Sequence, residues 1–333
     1  MKRLSLLSFL AVAAAMLGCT VRNRDTAPSD PTKVNVAVSF PALYSFAAKV
    51  VGETGTVRTV RTTQGAHGSE VTAADRELVA SVDLLFVNGL TLDDNFAAKV
   101  TKGTNSTGVR VVNIGKHLPE GLLLSGDGCE CCKDEGDKKE GNEGHEGHDH
   151  DHDPHAWLGP DLAEKYVEII RRELGERYPD KKETFDANSA AFTKELKQLK
   201  ADGKAALAGV PKSERKLVTV HGSLGYFASA FDVTISGIVQ TTPGQEPTPK
   251  QLANLIALCE KEKVGAIAVE PQFSSKGAVK VLTDALKAKG IADPIVIELD
   301  PLETATSGEL TPEWYVAKMK SNIEAIGKAF PKK

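Results

Sequence analysis

Lys33-Val34-Asn35-Val36-Ala37-Val38-Ser39-Phe40-Pro41-Ala42-Leu43-Tyr44-Ser45-Phe46 changes period partway along. Val34, Val36 and Val38 alternate as in a strand. From Pro41 to Val51 the apolar residues fall at helical spacing, and proline suits a first helical position, where its missing N–H would have no partner. A strand running directly into a helix is the unit from which parallel sheets are built, because parallel neighbours need a crossover. Further along, residues 56–61 read as a strand, 72–80 as a helix, and 83–87 and 109–114 as strands. The second half repeats the theme, with strands over 216–220, 234–238, 266–269 and 295–299 and a helix over 249–263. The fold class is α/β, with two units of parallel sheet and covering helices.

Between the two units the chain reads as helical. Leu162, Tyr166, Ile169, Ile170 and Leu174 form one apolar stripe, and Phe185, Phe192, Leu196, Leu199 and Leu207 a second. A helix over 181–208 would be ~42 Å long at 1.5 Å per residue, enough to connect two lobes. Gly203 is expected to weaken it locally.

Among 333 residues, 26% are charged and the net charge is −4. That gives no basic footprint for nucleic acid. Lys2 and Arg3 precede an apolar run over 4–17 that is too short to span a membrane and has the form of an export leader. Met16-Leu17-Gly18-Cys19 resembles a bacterial lipobox, which implies a leader over 1–18, lipidation of Cys19 and membrane anchoring by its acyl chains. The polar residues 20–32 read as a tether.

Residues 126–153 interrupt the α/β pattern. They hold eleven acidic residues, three lysines and four histidines (His145, His148, His150, His152), with no aliphatic or aromatic side chain. Such a segment buries too little apolar surface to offset its ordering entropy, so disorder is expected without metal. Dense imidazole and carboxylate point to metal handling, here as an accessory loop. Cys129, Cys131 and Cys132 lack Cys-x-x-Cys spacing, which leaves a local disulfide with one free thiol or soft-metal capture. Cys259 falls in a helical pattern and reads as a small buried apolar residue.

In open α/β sheets ligands bind outside the carboxyl ends of the strands. His221, Glu270 and Asp300 sit at such ends, His67 lies in the loop after the second strand, and His155 follows the insert. His67, His155, His221 and Asp300 are therefore the candidate metal ligands, a nitrogen- and oxygen-rich set suited to Zn2+. Glu270 reads either as a carboxylate orienting a ligand imidazole from behind or as a strand-end residue bonding to backbone. Glu70 reads as a helix cap, His117 as surface, and Trp157 and Tyr226 as core or cleft wall.

Four motifs carry a family resemblance. Gly65-Ala66-His67-Gly68-Ser69-Glu70, Asp153-Pro154-His155-Ala156-Trp157-Leu158, His221-Gly222-Ser223-Leu224-Gly225-Tyr226-Phe227 and Glu298-Leu299-Asp300-Pro301-Leu302 are similar to the ligand motifs of zinc and manganese ABC-transporter solute-binding lipoproteins. Glu246-Pro247-Thr248-Pro249 and Val269-Glu270-Pro271-Gln272-Phe273 resemble family landmarks, and the His-rich insert resembles that of zinc-uptake members. Ser69 and Val71 depart from the aromatic and proline often found there, and Ala66 replaces a residue that is acidic or proline in some relatives. No carboxylate then neighbours the first histidine, so Asp300 or a water becomes the fourth ligand.

The resemblance implies two lobes, 33–158 and 211–333, joined through helices over 159–210, with the metal in the interlobe cleft. It implies a monomeric receptor in the bacterial cell envelope that delivers Zn2+ to an ABC permease. Histidine at the third ligand position, His221, points to zinc rather than manganese. The alternatives are a receptor for manganese or another metal, a zinc hydrolase with three histidines and a water, and a metal store without a permease. No HExxH or comparable base-bearing motif favours the hydrolase.

Overall fold

The computed structural model describes residues 33–67, 70–102, 108–126, 152–240, 246–272, 276–290 and 295–330. Two four-stranded sheets share one topology. The first runs β1 (Val34–Val38), β2 (Gly55–Thr59), β3 (Leu84–Val87) and β4 (Arg110–Asn113) in the order β2-β1-β3-β4. The second runs β5 (Lys216–Thr219), β6 (Thr234–Ile238), β7 (Ala266–Val269) and β8 (Ile295–Glu298) in the order β6-β5-β7-β8. Every pairing is parallel. In each sheet the chain leaves the first strand towards one edge and returns on its other side. The switch points lie between β1 and β3 and between β5 and β7, where ligand crevices open.

Helices cover both faces. In the first unit these are α1 (Pro41–Val51), α2 (Ala73–Ala80) and α3 (Asp94–Thr101). α4 (Pro160–Arg177) and α5 (Lys182–Ala206) connect the units, and α6 (Gly225–Ala230), α7 (Pro249–Glu262), α8 (Lys276–Ala288) and α9 (Trp314–Ala329) belong to the second. Pro41 stands at the start of α1, and Thr248 with Gln251 forms a capping box on α7. On α2 the capping box is made by Thr72 and Asp75, which replaces the expected cap at Glu70. α3, α6, α8 and α9 were not legible as separate elements in the sequence pattern.

One apolar core runs through the whole molecule. Val34, Val36 and Val38 of β1 share it with Phe46, Trp157, Tyr166, Phe192, Leu217, Tyr315 and Phe330. Phe46 lies at its centre, with ring centroids 5.7 Å from Tyr166, 6.0 Å from Phe192 and 4.6 Å from Tyr315. Two smaller clusters fill the outer sheet faces, one around Ala37, Leu85 and Phe96 and one around Val218, Leu255 and Leu282. α5 packs against α1, α4 and α9. Its Gly203 has a packing role: a Cβ there would stand 2.2 Å from the Phe231 ring. Among the described residues no helix is long and apolar enough to cross a membrane.

Candidate metal centre

His221 follows β5 and Glu270 follows β7, strands in register at Thr219 and Ala268. That pairing sets the two residues side by side. The Glu270 carboxylate accepts from the His221 backbone N–H at 3.1 Å and meets its Nδ1 at 2.5 Å. His155 is held in the same manner: Asp153 Oδ1 accepts from its backbone N–H at 2.9 Å and lies 2.7 Å from its Nδ1. A carboxylate on Nδ1 keeps the proton there and leaves Nε2 as the ligand atom. The segment is fixed from behind by Asn88, whose Nδ2 donates to the Pro154 carbonyl at 3.0 Å and whose Oδ1 accepts from Tyr166 Oη at 2.6 Å.

His67 closes the loop after β2. Arg61, 3% exposed, stacks 4.3 Å from the Phe96 ring centroid and donates to the Glu70 carbonyl at 2.6 Å, so it braces the far side of that loop. The Ala305 N–H donates to the Thr62 carbonyl at 2.9 Å and ties the loop to the segment after β8. Within that segment lies Glu303, 2% exposed.

Glu303 Oε1 stands 3.5 Å from His67 Nε2, 3.3 Å from His155 Nε2 and 3.6 Å from His221 Nε2. The Nε2 atoms of His67 and His155 are 3.3 Å apart, and all four ligand atoms fall within 4.8 Å of one another. Four ligands ~2.0–2.1 Å from a tetrahedral zinc must stand about 3.3–3.4 Å apart. The cluster is thus close to the size a zinc ion requires. It is open on one side only, because the His67 side chain is 37% exposed while those of His155, His221 and Glu303 are 5%, 2% and 2% exposed.

The electrostatics of the cluster are those of a cation site. Burial raises the Glu303 carboxyl, but its three imidazole partners outweigh that and hold it well below the usual carboxylate range. Burial lowers His155, while Asp153 and Glu303 more than compensate and push it up to about 10. His221 is raised in the same way by Glu270 and Glu303 against its burial. The residues therefore hold a charge balance in which protons stand where a divalent cation would.

The structure brings His67, His155 and His221 together, with Glu270 behind His221. Asp300 stands outside the cluster. Its Oδ1 accepts from the Leu302 N–H at 2.8 Å, its Oδ2 meets Lys318 Nζ at 3.0 Å, and its backbone exchanges two hydrogen bonds with Asn322. A carboxylate spent on its own turn and on a lysine is not directed at a metal. That turn, with Leu302 at φ 62°, carries Glu303 round to the imidazoles. The available signal was a second carboxylate three residues after Asp300, obscured because Asp-Pro reads as the ligand motif. Among the accessory histidines, His152 pairs with Ser125 in an antiparallel bridge. His145, His148, His150, Cys19, Cys129, Cys131 and Cys132 lie outside the described residues. Cys259 is 1% exposed, and burial pushes its thiol up to about 11.

The model of the family described as zinc-uptake complex component A, periplasmic, matches residues 36–329. The zinc-binding protein AdcA of Streptococcus pyogenes serotype M3 is 31% identical over 301 residues, covering 88% of this chain and 55% of AdcA. The chain thus spans about half the length of that relative. The metal ABC transporter substrate-binding lipoprotein SsaB of Streptococcus sanguinis is 27% identical over 337 residues and is covered, like this chain, over its whole length. The Zn(II)-bound ZnuA-like domain of Streptococcus pneumoniae AdcA superposes with a TM-score of 0.67 at 25% identity, over 90% of this chain and 99% of that domain.

Proposed function

Since the chain belongs to the periplasmic zinc-uptake component A family, we propose that it is an extracytoplasmic receptor that captures Zn2+ and hands it to an ABC permease. The convergence of three imidazole Nε2 atoms on one buried carboxylate oxygen carries this reading. His67, His155, His221 and Glu303 supply the four ligand atoms. Asp153 and Glu270 hold the Nδ1–H groups of His155 and His221 and keep the rings aimed. Zinc entering from the His67 side displaces the protons held between the imidazoles and Glu303. Three nitrogens and one oxygen suit zinc better than manganese, which prefers oxygen.

A fourth protein ligand at Glu303 completes a tetrahedron, which favours a transport site over a hydrolytic one with a ligand position left for water. The AdcA and SsaB names place those relatives in zinc binding and metal transport, and SsaB among the lipoproteins. This supports an envelope location, with Cys19 as the lipid anchor of a monomer and residues 126–153 as an accessory metal loop. Calorimetric zinc titration of the chain lacking residues 1–19, with and without residues 126–151 and with Mn2+ as competitor, tests the reading. One tight zinc site that survives the deletion and resists manganese is expected. Loss of all tight binding on deletion would move the metal site into the insert.

A further inference from the structure

Tyr226 lies on α6, five residues after His221, and is 4% exposed. Its hydroxyl accepts from the Leu124 N–H at 3.0 Å and donates to the Asp153 carbonyl at 2.8 Å. Leu124 and Asp153 face each other across the chain segments on either side of residues 126–151. The Asp153 N–H donates to the Leu124 carbonyl at 2.9 Å, beside the Ser125–His152 bridge. In an antiparallel ladder such a pair exchanges two bonds. Here the second rung is replaced by the tyrosine hydroxyl, which stands between the Leu124 N–H and the Asp153 carbonyl.

Asp153 is therefore held from both units at once. The second unit grips its carbonyl through Tyr226, and the first grips the next carbonyl, that of Pro154, through Asn88 at 3.0 Å. The Asp153 side chain lies against the turn into α6: a Cβ at Gly225 would stand 2.7 Å from Asp153 Oδ2. Its other oxygen orients the His155 ring at 2.7 Å. The first turn of α6 thus sets the position of Asp153, and Asp153 sets the ring of a ligand that belongs to the other half of the site.

We propose that Tyr226 is a positioning residue for the metal site. Its hydroxyl couples the loop carrying His221 to the carboxylate that aims His155, so that the two ligands keep their spacing as one unit. The inference rests on the zinc-receptor reading for its effect on affinity, but not for its effect on the His155 ring.

The test is Tyr226→Phe beside Tyr178→Phe. Tyr178 Oη also accepts from a backbone N–H, that of Asn35 at 3.2 Å, and donates to a carboxylate, Asp83, at 2.7 Å. It makes the same number of bonds away from the cluster and serves as the control for stability alone. Tyr226→Phe is expected to weaken zinc binding about three- to tenfold, since removing partners that orient a ligand costs roughly 10–100-fold when they touch it directly. It should also alter the visible absorption of the Co2+-substituted site, which reports ligand geometry. Tyr178→Phe should lower the melting temperature and leave both unchanged. In the metal-free protein, Tyr226→Phe should shift or broaden the downfield NMR line of the His155 Nδ1 proton. Unchanged zinc affinity, Co2+ spectrum and Nδ1 line in Tyr226→Phe would reduce the residue to a packing role. Should the parent chain hold no zinc tightly, the receptor reading fails, and the Nδ1 line alone still decides whether Tyr226 positions His155.

Discussion

Glu270 grips His221 at two points, its Oε1 on the backbone N–H at 3.1 Å and its Oε2 against Nδ1 at 2.5 Å. Asp153 repeats that grip on His155 through a single oxygen. Each of these histidines thus arrives with its Nδ1 proton held and its ring immobilised by a carboxylate that lies behind it. The cost of ordering two rings is met when the protein folds, so less is lost when metal binds.

Glu270→Gln should therefore weaken zinc binding by about 10–100-fold, the usual cost of losing a carboxylate that orients a ligand histidine. Competition with a chromophoric chelator measures this directly. An affinity within twofold of the parent would mean that Glu270 serves only the backbone.

Glu303→Gln and Asp300→Asn separate the two carboxylates of the last loop. Loss of Glu303 should weaken zinc by more than about a hundredfold, beyond what removal of an orienting group costs. Asp300→Asn loses the Lys318 contact and should lower the melting temperature while affinity falls far less. The reverse ranking in calorimetry would restore Asp300 as the ligand.

Zinc binding should release protons. Hydrogen bonds to Asp153 and Glu303 hold His155 protonated up to about 10, against the opposing pull of burial. At neutral pH a proton must therefore leave before Nε2 can bind metal, so apparent affinity rises with pH. Calorimetry in buffers of different ionisation enthalpy counts the protons. No buffer dependence between pH 6 and pH 8 would contradict this charge balance.

Gly203→Ala should destabilise the fold, although a helix interior ordinarily favours alanine by ~1 kcal/mol. The added methyl would stand 2.2 Å from the Phe231 ring, and overpacking a filled core costs about 1–3 kcal/mol. The sign of the shift in the urea midpoint decides between propensity and packing.

The sequence made both sheets legible because buried parallel strands are short apolar runs that end in polar residues. It made three residues of the cluster legible because a histidine at or just beyond the end of such a run stands out. Two features escaped for physical reasons. Glu303 lies beyond a turn whose course depends on Asp300 bonding to its own backbone and to Lys318, contacts that no local pattern encodes. Tyr226 read as cleft wall because an aromatic residue on a helix usually marks packing, and its hydroxyl meets partners 102 and 73 residues away in the chain. Gly203 illustrates the converse, a residue judged by local propensity whose place is set by a ring on another segment.

The core that unites Phe46, Tyr166, Phe192 and Tyr315 with residues of both sheets has a consequence for how cargo leaves. Two jaws swinging widely apart would have to tear that shared interior open and wet its aromatic rings. A molecule built on one continuous interior yields first at its thinnest wall, and here that wall is His67. For the receptor proposed above, release of metal then becomes a matter of displacing His67 rather than unhinging two halves.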